Sequence, residues 1–150
     1  VDMPPGTGDA QLTMSQRVPL AEAVIVSTPQ DIALLDARKG LNMFRKVDVP
    51  VLGIIENMSM FICPNCGAES HIFGHGGAKE EAKNLKVDFL GELPLHMDIR
   101  TTSDAGTPIV LEKPNGDHAS IYKEIAGSIW SKLNKTSDAD QKAPPRIFVS

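Results

Sequence analysis

Two runs that are apolar on consecutive positions constrain this chain more than anything else in it. They are Glu22-Ala23-Val24-Ile25-Val26-Ser27 and Val49-Pro50-Val51-Leu52-Gly53-Ile54-Ile55-Glu56-Asn57. A strand with one wet face alternates apolar and polar residues. A strand without alternation is covered on both faces, as the strands of parallel sheets are. Between the runs, Leu34, Ala37, Leu41 and Phe44 recur at helical spacing and define a buried helix face. Thr28-Pro29-Gln30-Asp31 predicts where that helix starts: Thr28 can cap it, Pro29 suits its first position and Asp31 nearly completes a capping box. The helix is expected to end near Lys46.

The same alternation continues along the chain. Residues 10–18 suit a short helix ahead of the first run. After a cysteine-bearing loop from residue 58 to about 77, Ala78, Ala82 and Leu85 mark one face of a helix. Residues 87–91 read as a short strand, and residues 97–104 as a helix. From Asp117 onward, Ile121, Ile125, Ile129 and Leu133 recur every four residues, with Trp130 expected to pack beside that stripe. Residues 135–150 turn polar and proline-bearing, as a flexible tail does. No repeat and no linker divides the chain. The layout is α/β, a doubly wound and mostly parallel sheet. Val1-Asp2-Met3 has no initiator methionine and reads as the last residues of a buried strand, so a fragment is expected.

Composition removes several classes of function. At 150 residues and 41% hydrophobic, the chain can fill one core. A net charge of −4 with Lys and Arg scattered argues against a nucleic-acid surface or a polybasic membrane patch. No apolar run approaches the roughly 20 residues of a membrane span, so no membrane insertion is expected. Two cysteines make no disulfide framework. A reducing, intracellular setting and a soluble chain follow as expectations.

Those two cysteines carry the clearest chemistry. In Cys63-Pro64-Asn65-Cys66-Gly67, the two-residue spacing lets both sulfurs turn toward one metal or one cluster edge. Pro64 stiffens the bend, and Gly67 lets the backbone leave it at positive φ. A tetrahedral thiolate site needs four ligands, so a second chain supplies the other pair or other residues do. His71 and His75 are the intrachain candidates, and would make a structural zinc site with Cys63 and Cys66. A thioredoxin-like redox pair is the third reading, though such cysteines usually open a helix and this segment resembles a loop. Cysteines that merely pack are the fourth.

Two further positions suit a nucleotide. Asp2, at a strand end, is followed by the glycine amides of Pro4-Pro5-Gly6-Thr7-Gly8-Asp9, an arrangement suited to a Mg²⁺–phosphate complex. A plain structural turn fits the same residues. Asn57 ends the second apolar run, where doubly wound sheets place ligand contacts, and its amide can pair with a base edge or simply tie down a loop. Gly74-His75-Gly76-Gly77-Ala78-Lys79 lacks the spacing of a phosphate loop and reads as loop and helix start.

The four blocks Val1-Asp2-Met3-Pro4-Pro5-Gly6-Thr7-Gly8-Asp9, Ser27-Thr28-Pro29-Gln30-Asp31-Ile32-Ala33-Leu34, Glu56-Asn57-Met58-Ser59 and Cys63-Pro64-Asn65-Cys66-Gly67, in this order, closely resemble the Mrp/ApbC family. These are P-loop ATPases that carry iron–sulfur clusters, and the likeness is greatest to the NUBPL-like, complex I assembly branch. The resemblance implies that residues 1–134 are the C-terminal portion of a P-loop NTPase domain. It implies that Asp2 is the Walker B aspartate, that Gly6 lies in the switch sensing the γ-phosphate, and that Asn57 recognises adenine. It further implies that Cys63 and Cys66 bridge one [4Fe–4S] cluster across a homodimer. The cluster would go to apo iron–sulfur recipients, respiratory complex I subunits among them, in the mitochondrial matrix or a bacterial cytoplasm. The family's phosphate loop, signature lysine and first switch precede the position matching Val1. Mg-ATP binding and hydrolysis are therefore expected of the full-length protein, and poorly or not at all of this segment.

Overall fold

The computed structural model of the chain describes residues 1–3 and 8–140. Helix α1 (Asp9–Arg17) leads into strand β1 (Ala23–Ser27), helix α2 (Asp31–Lys46) and strand β2 (Val51–Glu56). A short hairpin, β3 (Phe61–Ile62) with β4 (Glu69–Ser70), precedes helix α3 (Gly77–Leu85) and strand β5 (Asp88–Glu92). Helices α4 (Met97–Asp104), α5 (Ile109–Glu112) and α6 (Asp117–Asp140) follow. The main sheet has the order β1-β2-β5, and both pairings are parallel.

The consecutive apolar pattern has the expected cause in β2, whereas in β1 Val26 is 57% exposed and the second face is only partly covered. Ile25 and Ile54 point to one face of the sheet and pack with Leu34, Ala37, Leu41 and Phe44 of α2 and Ala78 and Ala82 of α3. Ile55 and Leu90 point to the other face and meet Ile121, Ile125 and Ile129 of α6. Helices on both faces of a parallel sheet make the fold doubly wound.

Several local expectations change. Thr28 does not cap α2: its hydroxyl donates to Gln30 Oε1 at 2.9 Å, and Gln30 holds the N-cap position with no side-chain cap bond. The helix therefore begins at Asp31, beyond the predicted proline. Trp130 does not pack beside the α6 stripe, since it is 68% exposed. Helix α6 runs to Asp140, past residue 135 where the polar composition begins, and residues 141–150 of the expected tail lie outside the described residues. Val1, Asp2 and Met3 carry no regular structure, and Gly6 lies outside the described residues.

One ion pair ties the two helices on the first face together. Arg38 of α2 donates from Nε and Nη2 to both carboxylate oxygens of Glu81 on α3, at 2.7 and 2.8 Å. The Glu81 side chain is nearly buried, and the Arg38 hydrogen bonds hold its carboxyl below the ordinary value of 4.5 against the opposing effect of burial. A carboxylate whose pKa is lowered by folding stabilises the fold above its unfolded pKa, and that stabilisation disappears as pH falls through the folded value. Glu81→Gln is therefore expected to cost about 1 kcal/mol at pH 7, a modest figure because Arg38 is half exposed. The difference from the parent should close as pH drops below about 4.5, as urea unfolding at several pH values would read.

Candidate functional site

Ligands of open parallel α/β sheets sit past the carboxyl ends of the strands. In this chain β1 and β2 end there side by side, with Asn57 N–H donating to the Ser27 carbonyl at 2.7 Å. The Asn57 side-chain oxygen accepts from Met58 N–H at 3.0 Å, and Met58 turns the chain at a φ of 55°. That bond is the loop-tying role; the side-chain NH₂ takes no part in it. Asp2 is exposed and borders an open cleft of about 770 Å³, shared with Met3, Gln11, Ser27, Thr28 and Asp36.

The cysteines belong to the segment that leaves β2 and returns as α3. Within it, Phe61 pairs with Ser70 and Ile62 with Glu69, so an antiparallel hairpin stands where only a loop was expected. Strands of two residues lie below the length at which alternation can be read. Cys63 and Cys66 occupy the hairpin tip. Cys63 N–H donates to the Ala68 carbonyl at 2.9 Å, and Gly67 N–H to the Cys63 carbonyl at 2.8 Å. Gly67 has a φ of 70°, the left-handed turn for which a glycine was expected.

The N–H of Asn65, then the N–H and the thiol of Cys66, hydrogen-bond the Cys63 sulfur and lower its pKa below the ordinary 9.0 despite slight burial. Thiolate is the form that ligates metal. Cys66 is exposed and Cys63 partly so. The pair does not open a helix, which separates it from the thioredoxin arrangement.

The zinc reading is corrected by the geometry. Among the described residues, no three His, Cys, Asp or Glu side chains converge as a metal-holding group, so Cys63, Cys66, His71 and His75 are not an assembled four-ligand site. His71 is engaged elsewhere. Its Nδ1 lies 3.3 Å from the Ser59 carbonyl and its Nε2 lies 3.3 Å from Glu69, while its ring sits against His75 with centroids 4.2 Å apart.

Two residues of the site were missed from sequence. Glu56 is fully buried at the end of β2, and its carboxylate accepts from Ser59 Oγ at 2.8 Å, Gly76 N–H at 3.2 Å and Ala78 N–H at 2.8 Å. Ser59 is fully buried as well, and its hydroxyl also reaches Glu92 at 3.2 Å. The available signal was a charged residue closing an otherwise apolar strand.

Comparison with known proteins gives the family and the fold type. The model of the NUBPL iron-transfer P-loop NTPases, a ParA-type family, matches residues 1–130. The chain belongs to this family. The iron–sulfur cluster transfer protein NUBPL of Dictyostelium discoideum is 54% identical over 99% of the chain and 47% of its own length. The iron–sulfur cluster carrier protein of Salmonella typhimurium is 53% identical over 89% of the chain and 36% of its own length. Among solved structures, a nucleotide-binding protein of Archaeoglobus fulgidus in complex with ADP superposes with a TM-score of 0.64 at 42% identity. That match covers 77% of this chain and 46% of the other. The chain thus spans less than half the length of these relatives. The fold is the P-loop NTPase type, and no helix among the described residues is long and apolar enough to cross a membrane.

Proposed function

We propose that this chain is the cysteine-bearing portion of an iron–sulfur cluster carrier, holding a [4Fe–4S] cargo between two copies of itself. Cys63 and Cys66 of each copy supply four thiolates, and a two-fold axis through the cluster makes the interface isologous. The observation that carries the reading is the hairpin tip. It presents one exposed and one partly exposed thiol, the Cys63 pKa being lowered, and no third ligand grouped with them among the described residues. A cluster held at an exposed edge by two subunits can be released by parting them, which suits delivery to apo iron–sulfur proteins. Respiratory complex I subunits are among the recipients that the family resemblance suggests. The mitochondrial matrix or a bacterial cytoplasm is the matching location.

Nucleotide chemistry belongs to this proposal for the full-length protein. Asp2, exposed beside the cleft at the β1 end, fits a water-mediated contact to Mg²⁺, and Asn57 keeps an amide NH₂ available for adenine. Gly6 is assigned to the switch by resemblance alone. Bound Mg-ATP would supply phosphoryl transfer, which requires a phosphate loop that this sequence does not contain.

Anaerobic reconstitution with iron and sulfide tests the proposal. The expected product is a brown dimer with about four irons and four sulfides per two chains, as Cys₄ ligation of a [4Fe–4S] cluster demands. A colourless monomer containing one zinc would overturn it.

A further inference from the structure

We infer that Glu56 is a positioning residue that sets how tightly the cysteine hairpin retains its cargo; this rests on the carrier reading above. The segment from residue 57 to 77 is long, and its two ends close on one buried carboxylate. Ser59, at the outgoing end, donates its hydroxyl to Glu56 Oε1. Gly76 N–H donates to the same oxygen and Ala78 N–H to Oε2, at the returning end. Glu56 thereby cancels unsatisfied donors at the α3 N-terminus while tying the outgoing chain to them.

The tie reaches the cysteines through a continuous series of contacts. The Ser59 carbonyl meets His71 Nδ1, and His71 Nε2 meets Glu69. Glu69 is paired in the hairpin with Ile62, the residue before Cys63. Two main-chain bonds brace the same stretch: Ser59 N–H to the Leu93 carbonyl at 3.0 Å, and Leu95 N–H to the Met60 carbonyl at 2.7 Å. Gly77 makes the returning end a close fit, because a Cβ there would lie 2.4 Å from the Pro29 carbonyl oxygen. The loop base is therefore tied at several points, and among the described residues Glu56 is the charged side chain bonded to both ends.

Glutamine cannot substitute quietly. Each carboxylate oxygen faces a backbone N–H, so either orientation of a Gln amide sets NH₂ against a donor. Ser59→Ala removes the hydroxyl's contacts to Glu56 and Glu92 and leaves both backbone bonds to Glu56 intact.

The test uses the full-length protein with Glu56→Gln and Ser59→Ala, each compared with the parent. In the apo state, the rate at which iodoacetamide alkylates Cys63 and Cys66 and the hydrogen exchange of the Gly76 and Ala78 amides are measured. In the reconstituted state, iron release to a chelator is followed by visible absorption. Orienting contacts around ligands are worth about 10- to 100-fold in metal affinity. Glu56→Gln is expected to speed iron release within that range, to speed exchange at Gly76 and Ala78, and to alter alkylation. Ser59→Ala should give a smaller change of the same kind with unaltered exchange at Ala78. Parent-like iron release and alkylation in a folded Glu56→Gln protein would overturn the inference. If Glu56→Gln does not fold, parent-like iron release in Ser59→Ala overturns it instead. A parent protein that takes up no cluster would sink the carrier reading, while the apo alkylation and exchange data would still report on Glu56.

Discussion

Iron content should fall to background when either Cys63 or Cys66 is replaced by alanine in the reconstituted protein. A cluster bridged by two subunits loses two of its four thiolates for each cysteine position removed, because the substitution occurs in both copies. Two remaining ligands cannot hold a cubane whose four irons each need a protein ligand. Histidine rescue is not expected: His71 is committed to Ser59 and Glu69, and no third ligand stands near in the described residues. Visible absorption and iron and sulfide analysis of both variants check this. Full iron content in the Cys63→Ala, Cys66→Ala double variant would remove the hairpin tip from the site altogether.

The largest effect on stability is expected at Ile54. This side chain is fully buried in the central strand, where it pairs in register with Ile25 on one side and Phe89 on the other. It packs into the cluster that joins the sheet to α2 and α3. Ile54→Ala removes buried methyl and methylene groups and leaves a cavity, at a cost of about 2–5 kcal/mol. Domains of this size are stable by about 5–15 kcal/mol, so the loss is a large share of the total. Ile54→Val should cost only about 0.5–1.5 kcal/mol. Urea unfolding of the parent and both variants reads the ordering from the transition midpoints, with the slope held constant. Equal midpoints for Ala and Val would mean that the central strand is not closely packed.

Much of the fold was legible because burial on two faces leaves a signature that needs no partner to be read. Ile54 and Ile55 face opposite layers, and the unbroken apolar run of β2 records that directly. The α2 stripe of Leu34, Ala37, Leu41 and Phe44 is likewise buried as its spacing implies. The start of α2 was less legible, because Thr28 had a competing acceptor in Gln30 two residues on. Side-chain exchange of that kind depends on rotamers, which propensity does not contain. Trp130 misled for a similar reason. Its position beside the Ile125 stripe says where it sits on the helix, but not whether another element covers it.

The site divides in the same way. Cys63 and Cys66 announced themselves by spacing, and Gly67 by the turn it has to make. Asn57 was placed at the strand end correctly, and the loop-tying bond to Met58 was one of its two foreseen uses. Glu56 was read as no more than the end of a strand. Its partners at Gly76 and Ala78 are backbone amides twenty or more positions later, and such contacts leave no trace in residue type. The zinc alternative failed for the converse reason: His71 and His75 carry ligand chemistry, yet the fold spends His71 on holding the hairpin.

The exposed indole of Trp130 has a practical consequence. It is the sole tryptophan of the chain, on the outer side of α6 and 68% exposed. Its emission in the folded protein should already resemble that of a water-surrounded indole. Unfolding will then change the fluorescence little, and circular dichroism is the better monitor of a denaturation curve. The same property makes Trp130 a quiet baseline for association. A blue shift on mixing with another macromolecule would mean that the α6 surface has been covered.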